Sequence, residues 1–182
     1  LQVLEAKALE DALFYQPPIA PLTYKIYVDD SHSRFKDMEL AEMFLLLLNN
    51  QHPKIQYTIE KENNNKVLEF LDIKVINNGT GKYEFDIHRK NAITNIQVKP
   101  ESSHDPSILR GIFKGFLNRA ISICSEKYID KEINFLINVF IENGYDRNEL
   151  LTMAEQVKEK RNQQEQNINN NDNTVQTITL PW

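Results

Sequence analysis

The sequence predicts an α+β protein in which a region of helices and antiparallel strands precedes a small bundle of three helices. Two hydrophobic periods predict this class. Between residues 55 and 89 apolar and polar residues alternate, as in strands with one buried face. From Asp105 onward the apolar residues recur about every 3.6 positions, as in amphipathic helices. A chain of 182 residues, 41% of them hydrophobic, can bury one moderate core or two small ones.

The N-terminal segment predicts a helix followed by a hairpin. Residues 1–14 place aliphatic residues at helical spacing, and Gln16-Pro17-Pro18 ends that helix. The alternation from Tyr24 to Val28 predicts a strand, and residues 31–35 predict the returning strand. The Asp29-Asp30 pair would then occupy the tip of a β-hairpin.

A second helix and three further strands are predicted next. Asp37 is a favourable N-cap, and its helix should end near Asn50, before His52-Pro53. The apolar run Phe44–Leu48 predicts packing on more than one side of this helix. Its predicted buried residues are Leu40, Met43, Phe44 and Leu47.

An antiparallel meander of three strands is predicted after this helix. The strands are Ile55–Ile59, Val67–Ile76 and Lys82–Arg89, and the strongest turn signal lies at residues 77–81.

Three helices are predicted in the C-terminal half. Asp105 with Pro106 begins the first, Asp130 begins the second, and Asn143-Gly144 ends the second. Asp146 with Glu149 predicts a capping box for a third helix that ends near Arg161. Short connections of this kind are typical of helix-turn-helix bundles. The predicted buried residues are Leu109, Ile112, Phe113, Phe116, Ala120 and Cys124, then Ile133, Leu136, Ile137 and Phe140, then Leu150, Ala154 and Val157.

Charge and cysteine content exclude several classes of protein. The net charge of −5 argues against a chain that binds nucleic acid over its whole surface, yet residues 82–119 carry seven Lys/Arg and four Asp/Glu, a balance of +3. This segment is either a phosphate-facing strip or a solvated face. The single cysteine, Cys124, excludes an internal disulfide and is expected to be buried. No apolar stretch reaches the roughly 20 residues that span a bilayer, so no membrane association is expected.

Adjacent carboxylates at a hairpin tip repel each other and favour a counter-charge. Oxygen ligands of this kind bind divalent cations, and two such ions can clamp the attacking and leaving oxygens of a phosphoryl transfer. Asp29 and Asp30 are therefore candidate metal ligands, although Asp is also common in ordinary turns. His32 and His52 have no partner at ligand spacing and are not expected to bind a metal.

The order of several short motifs resembles that of Penelope-like retroelement reverse transcriptases. The resemblance spans roughly residues 4–160. The motifs are Tyr-Val-Asp-Asp (27–30), Leu-Asn-Asn-Gln-His-Pro-Lys-Ile-Gln-Tyr-Thr (48–58), Phe-Leu-Asp-Ile (70–73), His-Arg-Lys-Asn-Ala (88–92), Ser-Ser-His-Asp-Pro (102–106), Asn-Arg-Ala-Ile-Ser-Ile-Cys-Ser (118–125) and Glu-Asn-Gly-Tyr (142–145).

The resemblance implies two regions: residues 1–100 would be the C-terminal part of a polymerase palm, and residues 101–161 a helical thumb or helix-turn-helix region. Composition predicts that residues 162–182 are a disordered Asn/Gln-rich tail, because only Ile168 is apolar between Asn162 and Asn173; Thr174–Trp182 would be a short ordered or binding segment, or simply tail. The resemblance also implies functional residues. Asp29 and Asp30 would be catalytic ligands of two Mg²⁺ ions; Tyr27, Val28, Phe70, Leu71 and Asp72 would support the primer; and Arg89, Lys90, Lys99, Arg110 and Lys114 would contact nucleic acid.

The implied activity is RNA-directed DNA synthesis, with an RNA template, a DNA primer and deoxynucleotides as partners. Such an enzyme would act inside the cell, on chromosomal DNA in the nucleus. The alternative is a non-catalytic nucleic-acid-binding helix-turn-helix module left from a decayed or domesticated element. A general metal-dependent hydrolase is less favoured, because no other carboxylate and histidine cluster is visible.

Two departures from the family pattern qualify the enzymatic interpretation. No strand that bears a third metal-binding Asp precedes Tyr24, and no nucleotide-binding finger segments are recognisable. The chain begins at Leu1 and carries no endonuclease motif. We therefore expect a fragment of a longer polymerase, inactive by itself because part of its metal site is missing.

Overall fold

The computed structural model describes residues 2–90, 92 and 94–169, and the chain divides into two compact units, Leu1–Phe70 and Leu71–Trp182. The α+β class is confirmed. The helices and strands, in chain order, are α1 (Gln2–Leu13), β1 (Thr23–Tyr27), β2 (Asp30–Arg34), α2 (Met38–Asn49), β3 (Val67–Phe70), β4 (Ile73–Asn77), β5 (Tyr83–Ile87), α3 (Pro106–Ile123), α4 (Glu126–Glu142) and α5 (Arg147–Asn169). No helix among the described residues is both long and apolar enough to cross a membrane.

The core of the first unit lies between α1 and α2. The Phe44 ring contacts Tyr24 and Phe35, at centroid distances of 5.9 and 5.6 Å. The predicted cap is confirmed, since the Leu40 backbone N–H donates to Asp37 Oδ1 over 3.0 Å. Met43, expected to be buried, is 38% exposed, so α2 buries a narrower face than its apolar run predicts. The buried apolar residues of this core are Ala8, Ala12, Ile19, Phe44 and Leu48.

Two predicted strands are wrong. Ile55–Ile59 is not a strand, because the backbone of Tyr57 is paired with one side chain instead of a neighbouring strand. Asn49 Oδ1 accepts from the Tyr57 N–H over 2.6 Å, and Asn49 Nδ2 donates to the Tyr57 carbonyl over 3.2 Å. The predicted strand Val67–Ile76 is broken at Leu71-Asp72 into β3 and β4, and Leu71 has a φ of 55°.

The three C-terminal strands form a small sheet in the order β3-β4-β5. β4 and β5 pair antiparallel, with Val75 opposite Phe85. The loop between them is confirmed at residues 77–81, where Gly79 and Gly81 have φ values of 77° and 82° that side-chain-bearing residues rarely adopt. Of the predicted meander, the antiparallel pairing of its last two strands is confirmed by β4 and β5, whereas its first strand is absent and its second is divided into β3 and β4.

The three helices of the second unit pack around one apolar core. Phe113, Leu117, Phe140 and Leu150 are each fully buried in it, and the rings of Phe113 and Phe140 lie 4.7 Å apart. Most of the predicted stripe is buried as expected. Phe116 is an exception at 38% exposed, and Leu117, which was not predicted, is buried in its place.

The ends of these helices mostly follow the predicted caps. Asp105 Oδ1 accepts from the Ser107 N–H over 2.7 Å, and Asp146 Oδ1 accepts from the Glu149 N–H over 2.9 Å. The predicted start of α4 at Asp130 is wrong, because the helix begins one turn earlier at Glu126. α5 continues to Asn169, so residues 162–169, expected to be disordered, extend the helix; the remaining predicted tail, 170–182, lies outside the described residues.

Candidate nucleic-acid interface and the aspartate hairpin

The predicted hairpin is confirmed, and its tip is a two-residue turn. Tyr27 pairs with Asp30, which leaves Val28 and Asp29 as the turn residues. Val28 has a φ of 56°, in the region that favours glycine and that a β-branched residue seldom adopts. A positive φ at the first turn position alone matches the type II′ geometry, which suits the twist of paired strands.

The hairpin tip is open to solvent. Tyr27 is 52% exposed, Val28 is 74% exposed, and Asp29 and Asp30 are both exposed. Neither aspartate forms an ion pair with a residue that the structure describes. Backbone strain of this kind persists where the surrounding structure or a function requires it, and it marks the tip as a candidate site.

The tip does not by itself fit a two-ion magnesium centre. Among the residues that the structure describes, no group of three His, Cys, Asp or Glu side chains comes close enough to hold a metal ion. Mg²⁺ demands near-octahedral oxygen coordination, and Asp29 and Asp30 supply only part of such a donor set.

The motif Phe70-Leu71-Asp72 forms the end of β3 and the following turn. The Phe70 ring lies 5.5 Å from the His32 ring, in edge-to-face geometry, and burial lowers the pKa of the His32 imidazole. Leu71 and Asp72 occupy a two-residue turn like that at Val28-Asp29. Asp72 forms an ion pair with Arg119 of α3. The predicted role of this motif in supporting a primer stays a prediction.

Arg89 contacts the protein's own interior, unlike a phosphate-binding side chain on an open surface. Its Nη1 donates to Glu132 Oε2 over 2.9 Å and its Nη2 donates to Glu132 Oε1, a bidentate pair with a carboxylate that is 1% exposed. The guanidinium also lies 4.0 Å from the centre of the Phe135 ring. These contacts occupy the guanidinium of Arg89, which is partly buried in the second unit, and its predicted contact with nucleic acid stays a prediction.

Sequence reasoning missed a second buried acid beside this pair. Asp86 is 5% exposed; Lys131 Nζ donates to its Oδ2 over 2.5 Å, and Cys124 Sγ lies 4.0 Å from its Oδ1. Burial, together with the charges of Glu132 and Asp86, raises the pKa of the Cys124 thiol to about 11. The expected burial of Cys124 is confirmed, and its thiol stays protonated at neutral pH. The alternation of residues along β5 could have indicated that Asp86 faces other parts of the chain, because it puts Glu84 and Asp86 on one face of the strand.

The other predicted nucleic-acid contacts lie in two places. Lys90 and Lys99 are exposed on the segment between β5 and α3. Arg110 and Lys114 lie one turn apart on α3, where Arg110 is half exposed and 4.0 Å from Glu149. Lys114 forms no ion pair with any residue that the structure describes. The structure therefore brings together only Arg110 and Lys114 from the predicted set.

The helices of the second unit alternate in direction, so that α3 and α5 run parallel. Arg110 lies near Glu149 at their N-terminal ends, and Arg161 Nη1 donates to the Ile121 carbonyl over 2.8 Å near the other end. The connection from α3 to α4 is only Cys124 and Ser125. A short joint between two packed helices, with a third helix beside them, is the architecture of a helix-turn-helix bundle.

A comparison with known families agrees with this architecture. Residues 96–152 match the family model of the animal helix-turn-helix domain. We call these residues the helix-turn-helix region; they include α3, α4 and the first turns of α5. The match leaves out residues 1–95, which carry the aspartate hairpin. The chain matches no curated protein and no solved structure.

The segment before α3 is tied to the end of α4 by one asparagine. Asn143 Oδ1 accepts from the Gln97 N–H over 2.8 Å, and Asn143 Nδ2 donates to the Asn95 carbonyl over 2.9 Å. Tyr145 adds a hydrogen bond from its hydroxyl to the Val98 carbonyl over 2.6 Å. These contacts attach part of the segment before α3, which the family match includes from residue 96, to the end of α4.

Proposed function

We propose that this chain is a nucleic-acid-binding protein whose helix-turn-helix region makes the contact. The observation that carries the proposal is the match of residues 96–152 to the animal helix-turn-helix family, on a three-helix bundle with a two-residue joint. Bundles of this type are widely used to dock one helix against a duplex. Contact through phosphates is favoured, because Arg110 and Lys114 lie on α3 without a cluster of base-reading side chains around them.

Salt dependence tests this proposal directly. The 182-residue chain would be titrated onto a fluorescent duplex of about 20 base pairs at several salt concentrations between about 50 and 200 mM. Binding that weakens linearly on a logarithmic plot, and does not depend on base sequence, is the expected result. Absence of binding at the lowest salt concentration would contradict the proposal.

A second candidate function is RNA-directed DNA synthesis by a longer Penelope-like reverse transcriptase that contains this chain. The specific observation that favours it is the strained tip, where Val28 at a φ of 56° presents the exposed Asp29. The ordered motifs that resemble this family support it as well. Asp29 and Asp30 would supply part of a Mg²⁺ donor set, with at least one further carboxylate from elsewhere in the enzyme, and Lys90 and Lys99 would contact the template–primer duplex beside Arg110 and Lys114.

Primer extension tests the second candidate. A polymerase that includes this chain should extend a DNA primer on an RNA template and should lose that activity when Asp29 is replaced by Asn, with its fold unchanged. The 182-residue chain alone should not extend a primer above the level of its own Asp29→Asn variant. Extension by the chain alone would overturn the view that the aspartate pair is an incomplete site.

A further inference from the structure

Helix α3 differs in charge from every other helix in the described part of the chain. Its 18 residues carry Arg110, Lys114 and Arg119 and no acidic residue. Each of the other described helices carries at least two acids. In a chain with a net charge of −5, one helix that is purely basic is a surface suited to an anionic partner.

One side of α3 is made of small and polar residues, although Ile108 and Phe116 are also exposed elsewhere on the helix. The helix buries Leu109, Phe113 and Leu117 against the core, and a helical spacing of 100° per residue aligns another set of residues on the opposite side. We call this set the α3 strip. It consists of Ser107, Gly111, Gly115, Asn118 and Ser122, all of them exposed. Arg110 and Lys114 lie along one border of the strip, and Arg119 lies along the other.

The two glycines of the strip are not required by the packing of the chain. A Cβ atom built on Gly111 or on Gly115 meets no atom within 4 Å, and neither residue has a positive φ. Glycine inside a helix is destabilising relative to alanine, so these positions carry a cost that the fold does not explain. What two glycines one turn apart provide is close approach to the helix backbone.

We propose that the α3 strip is where the sugar–phosphate backbone of a nucleic-acid duplex lies against the protein. Arg110 and Lys114, about 6 Å apart along the axis, would pair with neighbouring phosphates of one strand, and Arg119 would pair with a phosphate across the strip. The hydroxyl and amide groups of the strip offer neutral hydrogen bonds to phosphate and sugar oxygens. This inference rests on the proposed function and specifies the helix, the face and the chemistry of the contact.

The ion pairs already present do not prevent this contact. Arg110 lies 4.0 Å from Glu149 with both side chains half exposed, and Arg119 and Asp72 are equally exposed. Exposed pairs of this kind contribute little to stability and exchange readily for a phosphate. Small residues on a helix also allow a helix of a second protein to pack closely against it. The charge favours nucleic acid, because basic residues border the strip on both sides and α3 offers no acid to complement them.

The first test removes charge from the border of the strip. Replacing Arg110 and Lys114 together by Gln in the full chain should lower the slope of log affinity against log salt by about two, because two phosphate contacts are lost. Lys160→Gln, at an exposed position of α5, is the matched control and should leave the slope unchanged. The probes are a DNA duplex, an RNA–DNA duplex and a single strand, and binding to the single strand alone would overturn the inference.

The second test adds bulk to the strip without changing charge. Gly115→Gln should raise the melting temperature by about 2–4 °C, since glutamine is the better helix former. It should also weaken duplex binding by about tenfold by holding the phosphates away from α3. Asn138→Gln, exposed on α4, is the control for bulk and should bind like the unmodified chain. A variant that is more stable and yet binds less well cannot be explained by misfolding.

The outcomes separate the inference from the function on which it rests. If the unmodified chain binds no duplex, both are overturned. If it binds and all α3 variants bind equally well, only the α3 strip is overturned. If Gly115→Gln instead abolishes self-association measured by sedimentation, while duplex binding is unchanged, the strip packs against a protein helix and the inference is wrong.

Discussion

Two pairs of acidic residues in this chain differ in burial and in partners. In the second unit, Asp86 and Glu132 are 5% and 1% exposed, and each is paired with a basic side chain. At the β1–β2 tip, Asp29 and Asp30 are exposed and form no ion pair with a described residue. The first group is needed by the fold, because an unpaired buried charge is strongly destabilising. No ion pair of the described residues depends on the second group, and its predicted role as a metal site stays a prediction.

The largest expected effect is at Glu132. Replacing it by Ala removes both acceptors of Arg89 and leaves a guanidinium that is only 27% exposed without its carboxylate, which should lower the free energy of unfolding by about 3 kcal/mol. Glu142→Ala, at an exposed position of the same helix, is the control and should change it by less than about 0.5 kcal/mol. Urea denaturation measures both. Equal effects would show that the buried pair contributes nothing specific.

A smaller effect of opposite sign is expected at Val28. Glycine adopts a positive φ without steric cost, and Val28 is 74% exposed, so little packing is lost on replacement. Val28→Gly should therefore raise the free energy of unfolding by about 1 kcal/mol. Val28→Ala keeps the Cβ atom and should not show the gain. A loss of stability in Val28→Gly would mean that the turn is not strained.

The pH dependence of the hairpin should come from His32. Burial lowers the pKa of His32 in the folded chain, so the unfolded chain takes up this proton more readily. The contribution of His32 is fully present above the unfolded pKa of about 6.5 and is lost as the pH falls below it. His32→Phe, which keeps a ring beside Phe70, should give a flatter dependence of stability on pH between about 7 and 5. An unchanged profile would contradict this assignment.

The sequence alone predicted those helix caps and turns that are specified by neighbouring residues. The caps at Asp37, Asp105 and Asp146 depend on one side chain and a backbone N–H two or three residues away. The hairpin also followed from neighbouring residues, through alternation and turn composition. Each of these elements was found because the residues that specify it are contiguous.

The sequence alone did not predict features that depend on contacts between residues far apart in the chain. Ile55–Ile59 has the composition of a strand, but the Asn49 side chain, and not a neighbouring strand, pairs with the backbone of Tyr57. Sequence predicted Arg89 as a surface cation, because its partner Glu132 is 43 residues away in the chain, on the buried side of α4. The break at Leu71 needs a positive φ at a leucine, which no sequence rule anticipates.

The smallest effects on stability are expected for substitutions of Asp29 and Asp72, and comparing the two tests the role of the hairpin tip. Both follow an apolar residue with a φ near +55° in a two-residue turn, but Asp72 is paired with Arg119 and Asp29 has no such partner among the described residues. Asp72→Asn should lower the free energy of unfolding by up to about 0.5–1 kcal/mol, as for exposed ion pairs. Asp29→Asn should change it by less than about 0.5 kcal/mol, because no contact of the fold depends on that charge. Urea denaturation of the two variants, at equal ionic strength, makes the comparison. A larger loss for Asp29→Asn than for Asp72→Asn would show that the hairpin tip serves the fold after all, and would remove the structural reason for treating it as a site.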